Sequence, residues 1–303
     1  MRHVLTLIVD PERAALQDSI VDAARSALGA LGARVAPPDW LARDTACDLV
    51  FTPPDPEPFD PQRAEAAVRQ VVADATVDVV AQGCQGRRKR LLIADMDSTV
   101  IENEMLDEIA AQAGLLDEVA PLTVRANAGE IDHAAALRRR AAFLEGIPAS
   151  LIDHVREAIR ITAGAAALIA TMRANGAHTV LASSGLVAFT SYVRDLLGFH
   201  EHAGNDVEID GGRFTGHLRP PVLDGEAKAD LLRGIARSQG LALQETLAVG
   251  DGANDMPMIA VAGLGVAFRA KRKVREAAAA RIDHGDLTAL LYLQGYRAED
   301  VIG

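Results

Sequence analysis

Residues 91–99 read LLIADMDST, a run of four apolar residues followed by two aspartates and two hydroxyl residues. The apolar run predicts a buried strand, and ligands of open α/β sheets bind just beyond the carboxyl ends of such strands. Side chains two positions apart in an extended chain face the same way, so Asp95 and Asp97 can address one ligand. Two carboxylates so close together need a cation or a retained proton to offset their charge.

The aspartate pair taken alone leaves other interpretations open. A calcium loop of the EF-hand type requires glycine and glutamate where this chain has Val100 and Leu106, so that pattern is excluded. The glycine-rich spacing of a nucleotide-binding loop is also absent at this position. An aspartate that caps a helix and is followed by turn residues remains an alternative.

A second acidic cluster follows a later apolar run, where residues 249–255 read VGDGAND. The glycines permit a tight turn, which would place the acidic groups at the start of the next helix. If the two strands lie side by side, Asp95 and Asp251 converge on one point. Oxygen ligands with open positions for water and phosphate suit Mg²⁺. An ordinary Asp-Gly turn is the alternative interpretation.

Two further polar elements fit a phosphate site at the same edge. Ser183-Ser184-Gly185 ends the apolar run 179–182 and offers hydroxyl and N–H donors to phosphate oxygens. Lys228 is predicted near the start of a helix, where it would supply a fixed cation to the carboxylates and a phosphoryl group. A solvated surface lysine is the alternative.

From residue 91 onward, apolar runs alternate with helical segments, which predicts a parallel sheet covered on both faces. The runs are residues 91–94, 179–182, 246–249 and 264–268. About eighty mostly helical residues separate the first two runs. One crossover helix needs far fewer, so we expect a helical cap at about 103–165. An alternating pattern around Gly211-Gly212 predicts a β-hairpin.

The first 85 residues predict a separate small α+β domain. Strand-like runs occur at residues 4–9, 34–36, 48–52 and 77–81, and helical spacing occurs at 16–31 and 64–72. The order β-α-β-β-α-β is that of a ferredoxin-like, split βαβ module. We therefore expect one domain at 1–85 and a second at 86–303. The basic run 87–90 is interpreted as a solvated junction between the two.

Length, charge and composition exclude several classes of protein. A chain of 303 residues fits two domains, and a net charge of −11 argues against a nucleic-acid binder. A local cluster of Lys and Arg can still reverse the field in one cleft. The two cysteines lack CxxC spacing, which favours a reducing compartment over a disulfide or zinc framework. No stretch approaches ~18 apolar residues, so we expect no membrane span and a cytoplasmic protein.

The polar segments, taken in chain order, resemble the four motifs of the haloacid dehalogenase superfamily. They are residues 95–99, Ser183, Lys228 and residues 250–255. Residues 95–110 resemble more narrowly the phosphoserine phosphatase family, and residues 137–140, 212–216 and 257–258 agree with it. The resemblance covers about two-thirds of the chain, residues 91–291. It implies an α/β fold with a Rossmannoid parallel sheet and a helical cap, and it makes the preceding ferredoxin-like α+β domain an ACT-like one.

The resemblance also implies how the phosphoryl group is handled. Asp95 would be the nucleophile, and Asp97, kept protonated by its acidic neighbours, the general acid and base. Asp95, the main-chain carbonyl of Asp97 and Asp251 would hold Mg²⁺. The phosphoryl group would be bound by Ser183, Ser184 and Lys228, with Asn254 near the site.

By the same resemblance, Glu104 and Arg140 would bind the amino and carboxylate groups of a substrate serine. The implied activity is hydrolysis of O-phospho-L-serine to serine and phosphate, the last step of serine biosynthesis. Three alternatives stay open: transfer of the phosphoryl group to an acceptor such as homoserine, action on another small phosphomonoester, or a catalytically silent amino-acid sensor. The sequence also leaves a homodimer open.

The chain departs from the family pattern at three positions in or near the predicted site. Ser184 stands where that family usually has glycine, next to the predicted phosphate ligands. Asn127 and His133 stand in the cap where apolar residues commonly line the substrate pocket. These changes bear on substrate preference rather than on phosphoryl chemistry, and we assign His133 no catalytic role.

Overall fold

The computed structural model describes residues 2–54 and 59–303. They form two units, each built on its own sheet. The N-terminal unit (residues 2–83) has a five-stranded sheet with two helices on one face, and the second unit (residues 91–303) has a seven-stranded sheet with helices on both faces. Among the described residues, no helix has the length and apolar character that a membrane crossing requires.

The N-terminal unit has the predicted order with one strand added. Its elements are β1 (His3–Ile8), α1 (Asp18–Ala30), β2 (Arg34–Val35), β3 (Asp39–Ala42), β4 (Ala46–Thr52), α2 (Pro61–Val71) and β5 (Asp78–Gly83). The sheet order is β2-β4-β1-β5, with antiparallel pairs. The unpredicted strand β3 pairs with the first residues of β4, whereas β2 pairs with its last residues. Pro37-Pro38 separates β2 from β3 because proline offers no N–H to a ladder.

The second unit opens with β6 and a helical segment, and then alternates strands and helices. Its first part comprises β6 (Leu91–Ala94), α3 (Met105–Gln112), α4 (Leu116–Asn127), α5 (His133–Ala142), α6 (Leu151–Arg156) and α7 (Ala165–Ala174). Its second part comprises β7 (His178–Leu186), α8 (Val187–Leu197), β8 (Glu201–Asp210), β9 (Arg213–Arg219), α9 (Gly225–Ser238), β10 (Thr246–Gly250), α10 (Met256–Val261), β11 (Leu264–Phe268), α11 (Arg272–Ala277), β12 (Ala280–Ile282) and α12 (Ala289–Leu293).

The sheet of the second unit runs in the order β12-β11-β10-β6-β7-β8-β9. Every neighbouring pair is parallel except β8 and β9. The strand β6 lies between β10 and β7, and all four of its residues are buried. The carboxyl ends of these three parallel strands therefore share one edge of the sheet, where the predicted site residues follow them.

The helices α3 to α6 stand between β6 and β7 and form the cap-like segment. The β8–β9 hairpin, predicted around Gly211-Gly212, is confirmed and reaches this segment at its tip. The amide of Gly146 donates to the carbonyl of Phe214 at 2.9 Å, and the amide of Ala149 donates to the carbonyl of Gly212 at 2.9 Å. Main-chain hydrogen bonds thus join the cap to the edge of the sheet.

The basic run after β5 is only partly solvated, so the interpretation as a solvated junction is wrong for Arg87 and Lys89. Arg87 binds Asp48 of β4 with two nitrogens, the longer contact being 3.2 Å, and donates to the carbonyl of Leu293 at 3.0 Å. Lys89 is buried and donates to the carbonyls of Gly86 and Gln244. The exposed members form the surface ion pairs Arg88–Asp300 and Arg90–Glu245. The run therefore fastens the two units together.

A buried carboxylate makes a second connection between the units. Asp78, at the start of β5, accepts hydrogen bonds from the amides of Asp283 and Gly285 at 2.7 Å each and of His284 at 3.2 Å. Successive strand residues face opposite sides of the N-terminal sheet. One side packs on α1 and α2, and the other joins the core of the second unit. A division of the chain near residue 85, and the ACT-like identity of the first part, remain predictions.

Candidate active site

The structure brings Asp95 and Asp251 together at the edge of the sheet. Asp95 follows β6 and Asp251 follows β10, and these neighbouring parallel strands pair from Leu91–Thr246 to Ala94–Val249. One carboxylate oxygen each of Asp95, Asp251 and Asp255 lies within 4.8 Å of the others, and all three residues are buried. The predicted convergence of residues far apart in the chain is therefore observed.

Lys228 is not a surface lysine, because α9 directs it into the carboxylate cluster. Its side chain is fully buried, and its ammonium group contacts Asp95 Oδ1 and donates to Asp255 Oδ1 at 2.8 Å. Burial alone would lower the pKa of Lys228, but Asp255 and Asp95 outweigh this effect and raise it. The side chain consequently stays a cation inside the site.

Asp255 belongs to the motif at residues 249–255, and its role is apparent only from the structure. Besides binding Lys228, it accepts a hydrogen bond from the amide of Gly252 at 3.1 Å. Gly250 permits this arrangement, because a Cβ atom there would lie 2.3 Å from Asp255 Cγ. The available signal was a second carboxylate only four positions after Asp251, across a glycine-containing turn that can bring the two together.

The carboxylate cluster fits a hard divalent cation. Asp251 Oδ2 is buried without a hydrogen-bond partner in the described residues, and the Lys271 ammonium group is 3.6 Å away. Burial, and then the nearby Asp255, raise the pKa of Asp251 to about 7. A carboxylate oxygen left without a donor among other carboxylates is suited to a cation with oxygen ligands. The Asp97 side chain is outside this cluster, so only its main-chain carbonyl stays in the predicted ligand set.

The Asp97 carboxyl group is held at the boundary between the strand edge and the cap. Its Oδ1 accepts from the amide of Met105 at 2.8 Å, and its Oδ2 accepts from the Ser183 hydroxyl at 2.8 Å. The Ser183 hydroxyl in turn accepts from the amide of Gly185 at 2.8 Å. Burial raises the pKa of Asp97, more than these hydrogen bonds lower it. A carboxyl group in this setting is able to retain a proton.

Ser184 and Asn254 lie on the other side of Ser183. Ser184 is buried at the end of β7, and its carbonyl accepts from the side chain of Asn205 at 2.8 Å. Its hydroxyl faces the Asn254 amide at 3.4 Å. The side chain that replaces the usual glycine therefore contacts Asn254, and both residues line the same pocket.

Glu104 and Arg140 face the pocket from the cap. Glu104 Oε1 accepts hydrogen bonds at 2.9 Å from the Ser98 hydroxyl and at 2.9 Å from the Asn127 amide. Burial, and then the charge of Asp97, raise the pKa of Glu104 to about 8. Arg140 is 4% exposed, and Nη1 donates to the Thr123 hydroxyl at 3.1 Å, while its Nε has no partner in the described residues.

Most of these groups line one pocket between the sheet edge and the cap. Its lining consists of Asp95, Asp97, Glu104, Leu106, Asn127, His133, Arg140, Ser183, Ser184, Gly185, Asp251 and Asn254. Lys228 lies beneath Asp95 and is not part of the surface. Anionic groups lie at the strand end, and a cation and a carboxyl group lie at the cap end. The arrangement can hold a small phosphorylated molecule that carries charges of its own.

Comparison with known proteins agrees with this chemistry. Residues 92–260 match the family model of haloacid dehalogenase-like hydrolases. The chain is 40% identical to the phosphoserine phosphatase of Streptomyces coelicolor over 242 residues, which are 80% of this chain and 59% of that protein. It is 40% identical to the probable phosphoserine phosphatase of Schizosaccharomyces pombe over 236 residues, which are 77% of this chain and 79% of that one.

The similarity to a solved structure extends over nearly the whole chain. A HAD family hydrolase from Salmonella enterica serovar Typhi superposes with a TM-score of 0.82 at 26% identity. The match covers 96% of this chain and 98% of that one. By contrast, the chain spans only 57–59% of the length of three bacterial and archaeal phosphoserine phosphatases that it matches at 39–40% identity.

Proposed function

The chain belongs to the haloacid dehalogenase-like hydrolases, and we propose that it hydrolyses O-phospho-L-serine through an aspartyl-phosphate on Asp95. The names of its relatives support this substrate. The observation that carries the proposal is a pair of side chains in the cap, Glu104 and Arg140. Arg140 is buried and Glu104 is half-buried, both line the pocket, and neither forms a salt bridge with any residue that the structure describes.

An acidic and a basic side chain, neither in a salt bridge with a described residue, match the ammonium and carboxylate groups of an amino acid. A buried guanidinium group without a carboxylate partner is costly, and a substrate carboxylate would satisfy it with paired hydrogen bonds. A substrate ammonium group would in turn favour the charged form of Glu104, whose pKa is raised in the free protein. The hydroxymethyl phosphate of the same molecule would then reach toward Asp95.

In the first step, the Asp95 carboxylate attacks phosphorus and the bond from phosphorus to the seryl oxygen breaks. Lys228 keeps Asp95 oriented and supplies positive charge next to the transferred group. Asp97 gives its proton to the departing seryl oxygen, since burial raises its pKa and so favours the protonated form. The products of this step are serine and an acyl phosphate on Asp95.

In the second step, water attacks the phosphorus of the aspartyl-phosphate. Asp97, now a carboxylate, takes a proton from this water and returns to its starting state. Phosphate leaves, and the Asp95 carboxylate is restored. Ser183, Ser184 and Asn254 line the pocket beside Asp95 and are proposed to bind the phosphoryl oxygens.

We further propose that the cation is Mg²⁺, held by Asp95, Asp251 and the main-chain carbonyl of Asp97. When bound, it would neutralise negative charge on the phosphoryl oxygens. Asp255 borders the same cluster, but one of its oxygens binds Lys228 and the other accepts from Gly252. Its proposed part is therefore to hold Lys228 in place.

The test is release of inorganic phosphate from phosphoserine, phosphothreonine and sugar phosphates, with Mg²⁺ and with a chelator. The proposal expects phosphoserine to give the highest kcat/KM and the chelator to abolish turnover. Higher kcat/KM on a sugar phosphate would reject the substrate. Homoserine phosphorylation in excess of phosphate release would show a phosphotransferase, and phosphoserine binding without turnover would show a sensor.

A further inference from the structure

His133 is a polar side chain in the pocket that forms no hydrogen bond with the described part of the chain. It is the first residue of α5 and lines the pocket beside Asn127 and Arg140. Both of its ring nitrogens are shielded from solvent, and neither has a hydrogen-bond partner within residues 2–54 and 59–303. Buried polar atoms without partners cost free energy, so a histidine here calls for an explanation outside the protein's own contacts.

Local structure does not explain the side chain. The N-terminus of α5 is capped by Asp132, whose carboxylate accepts from the amide of Ala135 at 2.7 Å. Asn127, at the end of α4, donates to Glu104 on its own. His133 contributes a hydrogen bond to neither arrangement, so its ring is available to a bound molecule.

The ring is uncharged, which defines what it can offer. Burial, and then the charges of Arg140 and Lys228, lower the pKa of His133 to about 3. A neutral imidazole has one N–H donor and one acceptor nitrogen. It can therefore donate to an anionic oxygen without adding a further charge to the pocket.

The position of His133 relative to Arg140 indicates which part of a substrate it meets. The two residues are seven positions apart on α5, so they lie on one face of the helix, two turns apart. Long helical side chains point back toward the helix N-terminus, which carries the Arg140 guanidinium group toward His133. Both side chains line the same pocket at its cap end.

We propose that the His133 imidazole donates a hydrogen bond to the carboxylate of the substrate, beside Arg140. The substrate carboxylate is then bound by the Arg140 guanidinium group and by the neutral imidazole together. His133 thereby favours phosphomonoesters that carry a free carboxylate over those that lack one. This inference rests on the proposed function, since it concerns the same pocket and the same substrate.

The experiment compares phosphoserine with phosphoethanolamine, which has the same phosphate and ammonium groups but no carboxylate. In His133→Phe, kcat/KM for phosphoserine should fall about 10- to 100-fold through a higher KM, the size expected for a hydrogen bond to a charged group. For phosphoethanolamine it should change less than about twofold, because that molecule never made the contact. In His133→Gln, whose amide can still donate, the loss for phosphoserine should be smaller.

The matched control is His154→Phe, the same substitution at an exposed histidine on α6 of the cap. It should leave both substrates unaffected. An unchanged KM for phosphoserine in His133→Phe would refute the proposal, as would an equal loss for both substrates, which would place the contact at the phosphate. If the wild-type protein does not hydrolyse phosphoserine, the proposed function fails before any variant is compared.

A second measurement does not require the phenylalanine variant to fold. Phosphoserine is added to ¹⁵N-histidine-labelled Asp95→Asn protein, with binding verified by calorimetry. The ring nitrogen signals of one of the eight histidines should shift, and His133→Gln should remove that signal. Binding without such a shift would contradict the proposal.

Discussion

The Lys228 ammonium group lies 2.8 Å from Asp255 Oδ1, and both side chains are fully buried. The same ammonium group contacts Asp95, so one cation joins the carboxylate at the start of α10 to the proposed nucleophile. Lys228 is therefore fixed in position before any substrate binds, and its charge is set by the cluster.

Replacing Lys228 should destabilise the protein, because the buried carboxylates that it neutralises lose their counter-charge. Lys228→Met leaves Asp95 and Asp255 buried without their cation, so we expect the free energy of unfolding of the metal-free protein to fall by about 3–5 kcal/mol. Adding Asp255→Asn should recover part of this loss, because it removes one uncompensated charge. Urea unfolding in the presence of chelator measures both, and equal stability of single and double variants would contradict the account.

Asp95→Asn should abolish turnover while leaving the fold intact. We expect a fall in kcat on the order of 10⁴-fold or more, since an amide oxygen cannot form the covalent intermediate. Rapid quenching with ³²P-phosphoserine should label the wild-type chain and leave the variant unlabelled. Asp22→Asn, an exposed position on α1, is the control. Labelling of the Asp95 variant would reject the nucleophile.

Mg²⁺ should stabilise the protein through Asp251. At a concentration of 100 times Kd, a ligand that binds only the folded state adds about 2.7 kcal/mol to the free energy of unfolding. Asp251→Asn should lose most of this gain, because it removes an anionic oxygen that has no hydrogen-bond partner among the described residues. Thermal unfolding with and without Mg²⁺ measures the effect. Asp117→Asn, exposed on α4, should retain the full gain.

The stability of the metal-free protein should depend on pH through Glu104. Its pKa is raised to about 8 by burial, against an ordinary value of 4.5, so the folded state favours the protonated form. Its contribution to stability is present below pH 4.5 and is lost as the pH rises through 8. Glu104→Gln should remove this decline. Because each unit of pKa shift corresponds to about 1.4 kcal/mol, we expect the decline to amount to a few kcal/mol.

The comparison is made by urea unfolding from pH 5 to 9 with chelator present. Other buried carboxylates contribute a decline of the same sign in both proteins, so the difference between Glu104→Gln and wild type is the quantity that matters. Glu118→Gln, exposed on α4, should follow the wild type. Parallel curves for Glu104→Gln and wild type would show that Glu104 is charged throughout.

Asp78→Ala should weaken the attachment of the N-terminal unit. Three amides of the second unit lose their acceptor, and each unsatisfied buried donor costs about 1–3 kcal/mol. We expect a loss of at least about 3 kcal/mol in unfolding free energy and faster proteolysis between residues 84 and 90. Asp78→Asn should lose less, and Asp74→Ala, exposed after α2, should lose nothing measurable.

The convergence of Asp95 and Asp251 could be predicted because it depends on local patterns. Each residue follows a short apolar run, and parallel strands end at a common edge of their sheet. The observed strands Leu91–Ala94 and Leu264–Phe268 match the predicted runs residue for residue. The hairpin at Gly211-Gly212 was equally local, since its turn residues mark it directly.

The contacts that escaped prediction join residues distant in sequence without a local pattern. The Lys228–Asp255 pair depends on how α9 packs beside α10, and Asp78 reaches amides more than 200 positions away. The strand Asp39–Ala42 was not predicted, because Pro37-Pro38 indicates the end of a strand. In the structure a new strand begins directly after these prolines. Arg87 and Lys89 read as surface charges because their partners lie in other elements.

The second face of the N-terminal sheet packs against the second unit, so the two units share one hydrophobic cluster. Ile8, Ala46 and Val80 belong to the same cluster as Leu290 and Tyr296. Excising the first ninety residues would leave a bare apolar surface on what remains. Exchange of this segment between homologous enzymes would therefore require a matching contact surface.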